Sequence, residues 1–274
     1  MLFPKALIST VAALAITSTS ISASPIAHLD SLSSLDKRAF GGYNDWSCKP
    51  SSSYPYPIVM THGLGGNSGE WAYMATRFAA KGYCAFTLDY GHLDEVPFLN
   101  GLDDLRTSAN QLSAFVDKVL SATGASKVDI LGHSEGSTLP RVYFKYNNGG
   151  AKTRKFAGIG SNSYGSTLAS LTTLMESLGL HNEVEGVLNP LCKACFQLIV
   201  GAPFLEELNT PNDTVPGVQY LMIVSKYDPL VTPYQSGWLK DKNPNVKNQL
   251  VQDWCAADLV GHIAQANDSN QAVY

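Results

Sequence analysis

The chain has 274 residues, of which 45% are hydrophobic and 15% are charged, and its formal net charge is −4. The apolar fraction is enough for a sizeable core, whereas the acidic balance and the lack of a basic run argue against nucleic acid as a partner. Because no internal repeat or low-complexity linker follows residue 39, residues 39–274 are predicted to form a single domain.

Residues 1–24 have the features of a secretory signal peptide. Lys5 supplies the positive start, Ala6–Ile16 is apolar, and Ile21–Ser24 is a small-residue cleavage site. The apolar run is too short to span a bilayer, so we expect it to direct export and not to anchor the chain. The sequence therefore predicts a secreted, extracellular protein without a transmembrane segment.

A polar segment, residues 25–38, follows and ends in the dibasic pair Lys37 and Arg38. We interpret it as a propeptide that a trans-Golgi convertase removes after Arg38, as in secreted fungal proteins. The alternative is an ordinary pair of solvated charges. Two N-glycosylation sequons lie further along the chain, at Asn212–Thr214 and Asn267–Ser269.

Short runs of apolar, β-prone residues alternate with helix-length segments along the rest of the chain. The predicted strands are Pro57–His62, Tyr83–Leu88, Val128–Leu131, Lys155–Gly160, Tyr220–Ser225 and Val246–Val251. The predicted helices are Glu70–Ala80, a long amphipathic helix from Leu105 that stops at Gly124, and Ser137–Tyr146. This alternation is typical of a mostly parallel α/β sheet with helices on both faces, and of functional residues on loops after the carboxyl ends of strands.

Residues 164–208 form the longest gap between predicted strands and are rich in leucine. Two interpretations fit this pattern. The leucines are either the inner faces of two crossover helices or part of a small helical cap that moves as a lid over a substrate pocket.

The segment Val128–Gly136 carries the pattern G-x-S-x-G around Ser134. A strand that turns sharply into a helix holds such a serine in a strained, exposed position, where it can act as a nucleophile. Gly132 and Gly136 lack Cβ atoms, so the strand and the helix can approach each other closely. Pro140 is expected early in the helix, where its missing N–H group costs little.

A serine nucleophile needs a base and an acid, and on α/β sheets with such a turn the chain order is serine, acid, histidine. Asp228 follows an apolar strand at a sharp turn, and His262 comes later still. We predict that His262 takes the proton of Ser134 and that Asp228 fixes the tautomer of the histidine.

Other titratable residues compete for these roles. His133 adjoins the serine, but the elbow is expected to turn its side chain away, and His92 precedes the serine in the chain. His181 lies in the proposed cap and is expected at the surface. Asp253 and Asp258 are rival acids, at positions where carboxylates more naturally bond backbone groups or cap a helix.

The oxyanion of an acyl-transfer intermediate needs two N–H donors. One is expected from the backbone of Glu135, the residue after the nucleophile, and the other from the loop after the strand that ends at His62. Leu64 is the preferred donor in that loop, and Gly63 is the alternative. A phosphate-binding interpretation of His62–Gly66 is weak, because the P-loop Lys-Ser/Thr and the G-x-G-x-x-G spacing are both missing.

Four segments together resemble the class-2 family of secreted triacylglycerol lipases, and in particular its fungal members: Pro57–Gly63, Gly82–Gly91, Gly132–Arg141 and Lys226–Tyr234. The resemblance is most specific around Ser134. It implies an α/β-hydrolase fold with a small helical cap, a catalytic triad of Ser134, Asp228 and His262, and hydrolysis of carboxylic esters without a cofactor or metal.

Five cysteines follow the predicted propeptide, and an odd number leaves at least one thiol unpaired or intermolecular. Cys192 and Cys195 form a C-x-x-C pair. No second pair of this kind supports a zinc site, and an oxidising compartment argues against a redox role. The resemblance implies one disulfide between Cys48 and Cys84, and another between Cys255 and either Cys192 or Cys195.

One residue departs from the family pattern, because many relatives carry a neutral residue such as glutamine at the position of Glu135. A carboxylate aimed at the oxyanion would oppose the charge of the transition state, so we expect this side chain to point away. The leading functional hypothesis is a secreted lipase that acts on acylglycerols at a lipid–water interface. The alternatives are an esterase of short soluble esters or polyesters and, from another class, a catalytically silent binding protein with the same fold.

Overall fold

The computed structural model describes residues 42–167, 169–170, 173 and 191–266. These residues all belong to one compact unit. The predicted signal peptide and propeptide, most of the centre of the proposed cap, His181 and the sequon at Asn267 lie outside the described residues and stay predictions.

Six short strands form one sheet, and each lies within two residues of its predicted bounds. The strands are β1 Ile58–Thr61, β2 Ala85–Leu88, β3 Val128–His133, β4 Thr153–Ile159, β5 Gln219–Val224 and β6 Val246–Leu250. Their order across the sheet is β2-β1-β3-β4-β5-β6, and every neighbouring pair is parallel. The carboxyl ends of all six strands therefore meet at one edge of the sheet.

Six α-helices lie between the strands and a seventh follows the last one in the described part of the chain: α1 Ala72–Ala80, α2 Leu105–Thr123, α3 Glu135–Tyr146, α4 Gly149–Lys152, α5 Lys193–Gln197, α6 Pro203–Asn209 and α7 Val251–Trp254. The bounds of α2 follow from its caps. Asp104 accepts the N–H of Arg106 at the start, and Gly124 ends the helix with a φ of 76°, which residues with a Cβ rarely adopt. None of the described helices is long and apolar enough to cross a membrane.

Buried side chains cover both faces of the sheet, because successive residues of a strand point to opposite faces. In β1, Val59 packs into a cluster with the inner faces of α2 and α3. Ile58 and Met60 pack into a second cluster with Met74 of α1. The predicted α/β architecture, a parallel sheet between two layers of helices, is confirmed.

The described end of the proposed cap packs into the core. Helix α5 contacts α2, and α6 contacts α3 and α5. Leu198, Phe204, Leu205 and Leu208 are buried in the same cluster as the inner faces of α2 and α3. Residues 191–209 therefore belong to the core, and the cap predicted for residues 164–208 stays a prediction.

Helix α3 begins at Glu135, two residues earlier than predicted, so Pro140 lies in its interior. The expectation that Pro140 sits early in the helix is wrong. An interior proline cannot donate to the carbonyl four residues before it, which belongs to Gly136. The hydroxyl group of Thr61, at the end of β1, donates to that carbonyl at 2.7 Å and replaces the missing partner.

The structure contains the Cys48–Cys84 disulfide that the resemblance implies. The second implied disulfide is wrong: Cys192 and Cys195 bond to each other, and Cys255 is free and exposed. Cys192 caps α5, so one helical turn brings its Cα to 5.4 Å from that of Cys195. Helix α5 packs against α2, whereas α7, which leads to Cys255, packs in the cluster on the other face of the sheet.

Candidate active site

The turn from β3 into α3 holds Ser134 in a backbone conformation that few residues with a side chain adopt. Its φ is 55° and its ψ is −123°, and its N–H donates to the carbonyl of Ile159 at 2.9 Å. A Cβ on Gly132 would lie 1.9 Å from the carbonyl oxygen of Gly136, and one on Gly136 would lie 2.2 Å from that of Thr61. Glycine at these two positions therefore allows β1, β3 and α3 to meet closely around the serine.

The structure brings together the three side chains that the chain order singled out. The hydroxyl oxygen of Ser134 lies 2.7 Å from Nε2 of His262, and Nδ1 of His262 lies 2.7 Å from Oδ2 of Asp228. All three side chains are buried. The Asp228 carboxylate also accepts the N–H groups of Leu230 and Val231, in the turn after β5. A continuous chain of hydrogen bonds thus runs from the carboxylate to the hydroxyl.

Burial and hydrogen bonding set the charges of the histidine and the aspartate. Burial lowers the pKa of His262, and the hydrogen bond and charge of Asp228 oppose this only in part. Burial also opposes ionisation of Asp228. The hydrogen bond and charge of His262, together with two backbone N–H groups, outweigh it and hold the pKa of the carboxyl below its ordinary value. At neutral pH the histidine can therefore accept a proton, and the aspartate can stabilise the resulting imidazolium.

The competing residues make other contacts. His133 directs its ring nitrogens to a glutamate and to a backbone carbonyl, away from the serine hydroxyl. His92 is exposed and faces an aspartate in its own loop. Asp253 is exposed, and Asp258 accepts a backbone N–H two residues further along. None of the contacts described here places a second base or acid at the serine.

The loop after β1 lies against the nucleophile, since a Cβ on Gly63 would be 3.2 Å from that of Ser134. The N–H of Gly63 donates to Glu70 at 3.0 Å. The carbonyl of Gly63 accepts the N–H of Gly66 at 3.0 Å and lies 2.8 Å from Nδ1 of His62. Both polar backbone groups of Gly63 are therefore engaged within the loop.

This arrangement decides which N–H group of the loop is available. The C=O and N–H of a trans peptide point in opposite directions, so the N–H of Leu64 points away from the groups that bind the Gly63 carbonyl. Within the described residues the Leu64 N–H has no acceptor. The N–H of Glu135, at the start of α3, points out of the helix N-terminus. The N–H groups of Leu64 and Glu135 are thus available, whereas that of Gly63 is engaged by Glu70, and the oxyanion role of the first two stays a prediction.

A model of the family described as Lipase (class 2) matches residues 55–273, which is most of the chain. The chain belongs to the class 2 lipase family. The matched region contains all six strands and the three clustered side chains of Ser134, Asp228 and His262.

Two proteins named triacylglycerol lipase are similar to part of this class 2 lipase sequence. The one from Pseudarthrobacter phenanthrenivorans is 29% identical over 92 residues, which cover 31% of this chain and 27% of that protein. The one from Burkholderia plantarii is 29% identical over 92 residues, which cover 31% of this chain and 24% of that protein. The matched region thus spans about a quarter of the length of these relatives.

Solved structures match over more of the chain. Lipase B from Aspergillus fumigatus superposes with a TM-score of 0.59 at 17% identity, covering 78% of this chain and 51% of that chain. The mature form of lipase BlEst2 from Bacillus licheniformis superposes with a TM-score of 0.56 at 19% identity, covering 80% and 89%. At these identities the likeness shows a shared fold, which is the predicted α/β-hydrolase fold.

The carboxyl group of Glu135 is fully buried in this class 2 lipase fold. Its oxygens have no hydrogen-bond partner among the described residues, because the nearby Tyr90 hydroxyl donates to the carbonyl of His62 at 2.6 Å. Burial raises the pKa of Glu135 well above its ordinary value. Burial therefore favours the neutral form of the carboxyl, which carries no charge that would oppose an oxyanion. That its side chain points away stays a prediction.

Sequence reasoning missed two residues that support the class 2 lipase site. Gln265 donates to Oδ2 of Asp228 at 2.9 Å. Glu70 contacts both Gly63 and His133. Neither residue stands out in the sequence, since Glu70 appears there only as the start of a predicted helix. The described part of the chain contains no group of three or more His, Cys, Asp or Glu side chains that could hold a metal ion.

Proposed function

We propose that this member of the class 2 lipase family hydrolyses carboxylic esters through a serine nucleophile. The observation that carries the proposal is the hydrogen-bonded chain from Asp228 through His262 to Ser134, with both links at 2.7 Å. The strained strand-to-helix turn at the serine and the family match support the same conclusion.

In the proposed reaction, Oγ of Ser134 attacks the ester carbonyl while Nε2 of His262 takes the serine proton. The backbone N–H groups of Leu64 and Glu135 hold the oxyanion, and the charge of Asp228 stabilises the imidazolium. The imidazolium then gives the proton to the departing alcohol, which leaves an acyl-enzyme. Water, deprotonated by the same histidine, attacks the acyl group and releases the carboxylic acid and the free serine.

The proposed substrates are triacylglycerols at a lipid–water interface. Large apolar side chains are exposed on loops that follow strands on both sides of β3. Phe98, after β2, is 69% exposed, and Leu259 and Ile263, after β6, are 69% and 62% exposed. Contact with lipid would remove these side chains from water, at about 25 cal/mol per Å² of apolar surface. Their positions thus favour a lipid surface over a small soluble ester.

The proposal includes export from a fungal cell and removal of residues 1–38. The charged and apolar segments of residues 1–24 and the Lys37-Arg38 pair support it, and so do two disulfides, which suit an oxidising compartment. Mass spectrometry of the protein from the culture medium should find Ala39 as the first residue. A protein that is retained in the cell, or that starts before Ala39, would contradict this part.

Covalent labelling tests the nucleophile. A serine-reactive phosphonate is expected to label the wild-type protein, and Ser134→Ala should abolish both labelling and ester hydrolysis. Ser121→Ala, which changes an exposed serine of α2, is the matched control and should keep both. A wild-type protein that is not labelled would favour the silent binding protein.

A substrate panel tests the substrate class. Rates on emulsified triacylglycerols of increasing acyl length are compared with rates on short soluble esters. Phe98→Ser and Leu259→Ser are each expected to lower the ratio of emulsion rate to soluble-ester rate about tenfold. Each removes an exposed apolar side chain that would be buried against the lipid. Tyr146→Ser, an exposed position at the far end of α3, is the control. An unchanged ratio in all variants would favour the soluble-ester esterase.

A further inference from the structure

Glu70 lies beside the proposed active site and contacts two separate segments of it. It lies in the helical turn Ser68–Trp71 before α1, and its side chain is 24% exposed. Its Oε1 lies 2.5 Å from Nδ1 of His133, and its Oε2 accepts the N–H of Gly63 at 3.0 Å. One carboxylate therefore contacts both the last residue of β3 and the loop that carries the proposed oxyanion donor.

His133 extends this contact to the loop of the proposed base. Its Nε2 lies 3.1 Å from the backbone carbonyl oxygen of His262. A carboxylate and a carbonyl can only accept hydrogen bonds, so both ring nitrogens of His133 must donate. With Glu70 ionised, the ring is an imidazolium and Glu70 is its counter-ion.

The surroundings favour these charges. Burial disfavours the charged form of His133, but the charge and hydrogen bond of Glu70 outweigh it and raise the pKa of the imidazole. Burial likewise opposes ionisation of Glu70, but the charge and hydrogen bond of His133 and the N–H of Gly63 hold the pKa of the carboxyl below its ordinary value. Both shifts favour the ionised pair, in which the two charges compensate each other.

We propose that Glu70 and His133 act as one positioning unit that holds the loop of Leu64 and the loop of His262 in a fixed relation to Ser134. The inference rests on the proposed ester hydrolysis and concerns how its site is assembled. Neither residue touches the reacting atoms. The glutamate acts through the first peptide of the oxyanion loop, and the histidine acts through the backbone carbonyl of the base.

The unit also places a positive charge beside the base. The ring centroids of His133 and His262 are 5.0 Å apart. Burial and the charge of His133 both lower the pKa of His262, whereas the charges of Asp228 and Glu70 act against this. Loss of the positive charge is therefore expected to move the acid limb of the pH–rate profile to higher pH, since the base then holds its proton more tightly.

Two substitutions of His133 separate positioning from packing. The amide nitrogen of asparagine can replace Nδ1, whereas that of glutamine can replace Nε2. His133→Asn keeps the contact with Glu70 but releases the His262 carbonyl, so kcat on a soluble p-nitrophenyl ester should fall about 100-fold with little change in KM. His133→Gln keeps the contact with that carbonyl. It should recover most of kcat, with its acid limb at higher pH than in the wild type.

Glu70→Ala tests the other half of the unit: it removes the acceptor of both contacts and is also expected to lower kcat about 100-fold. Combined with His133→Asn, it should lose clearly less than the product of the two single losses, because both residues act through shared contacts. His92→Gln and Asp94→Asn change an exposed pair of similar residues and are the matched controls. Both should keep the wild-type kcat and pH profile.

The outcomes are distinct. The proposal is overturned if His133→Asn and His133→Gln lose the same activity with an unmoved acid limb, or if the double variant shows the product of the two single losses. If the wild type is no faster than Ser134→Ala, the ester hydrolysis itself is wrong. A ¹⁵N NMR titration of the wild-type histidines tests the charge of His133 without relying on activity or on the folding of a variant. A His133 that is neutral at neutral pH refutes the unit.

Discussion

Replacing Thr61 by valine removes a hydroxyl group and keeps the size of the side chain. Thr61 is fully buried and donates to the carbonyl of Gly136 at 2.7 Å. Pro140 occupies the position that normally supplies the helical donor to that carbonyl, and it has no N–H. Valine would leave the carbonyl unpaired in the core, at a cost of about 2 kcal/mol. For a domain of this size, the melting temperature should fall by about 4 to 8 °C.

A double-mutant cycle identifies the cause of this loss. Pro140→Ala restores an N–H group opposite the Gly136 carbonyl. In that background the loss of stability caused by Thr61→Val should be smaller by about 1 kcal/mol or more. Thr123→Val is the matched control: its hydroxyl donates to the carbonyl of Val119 at 2.7 Å, and that carbonyl also has the ordinary helical N–H partner.

Thermal melting and urea unfolding, both followed by circular dichroism, measure these differences. Equal losses from Thr61→Val in the two backgrounds would refute the reasoning. So would a loss no larger than that of Thr123→Val. Either result would mean that the carbonyl finds another donor, such as water, when the hydroxyl is removed.

Three further predictions concern charge and cross-linking. Glu135→Gln should leave kcat nearly unchanged. The folded wild type keeps the Glu135 proton, whereas the unfolded chain releases it above the ordinary pKa of a glutamate, so wild-type stability falls as pH rises. The gain in melting temperature from Glu135→Gln should therefore grow from acidic to neutral pH. A gain that is independent of pH would contradict this. Replacing both Cys48 and Cys84, which are 36 residues apart, by serine should cost about 4 kcal/mol in urea unfolding, and a loss below about 1 kcal/mol would show that the cross-link matters little. Asp228→Asn should lower kcat about 10⁴-fold, because His262 loses the acceptor that fixes its tautomer; a loss below tenfold in ester hydrolysis would exclude that role.

The elbow could be predicted because its physics is local. A Cβ on Gly132 would overlap the carbonyl of Gly136, only four residues further along, so this part of the pattern follows from local sterics. Gly136 in turn faces the carbonyl of Thr61 on β1, and the G-x-S-x-G pattern predicts that glycine without naming its distant partner. The strands could be predicted for a similar reason. A parallel sheet buried on both faces produces short continuous apolar runs, and all six runs became strands.

Other expectations failed where the outcome depends on contacts between distant parts of the chain. A proline early in a helix and one in its interior look alike in sequence. The difference at Pro140 depends on where α3 begins and on a hydroxyl from Thr61, on another strand. The pairing expected for Cys255 failed because α5 and α7 lie in clusters on opposite faces of the sheet. No short pattern contains that information.

The position of the base shows why chain order could name a residue without predicting its contacts. His262 follows the edge strand β6, which lies three strands from β3, or roughly 14 Å at about 4.8 Å per strand. The loop that crosses this distance is held by donors from other elements. Ser225 donates to the carbonyl of Val260 at 2.7 Å, and His133 donates to that of His262. These contacts orient a loop and bury little apolar surface. We therefore expect their loss to lower kcat strongly and to change the free energy of unfolding only slightly.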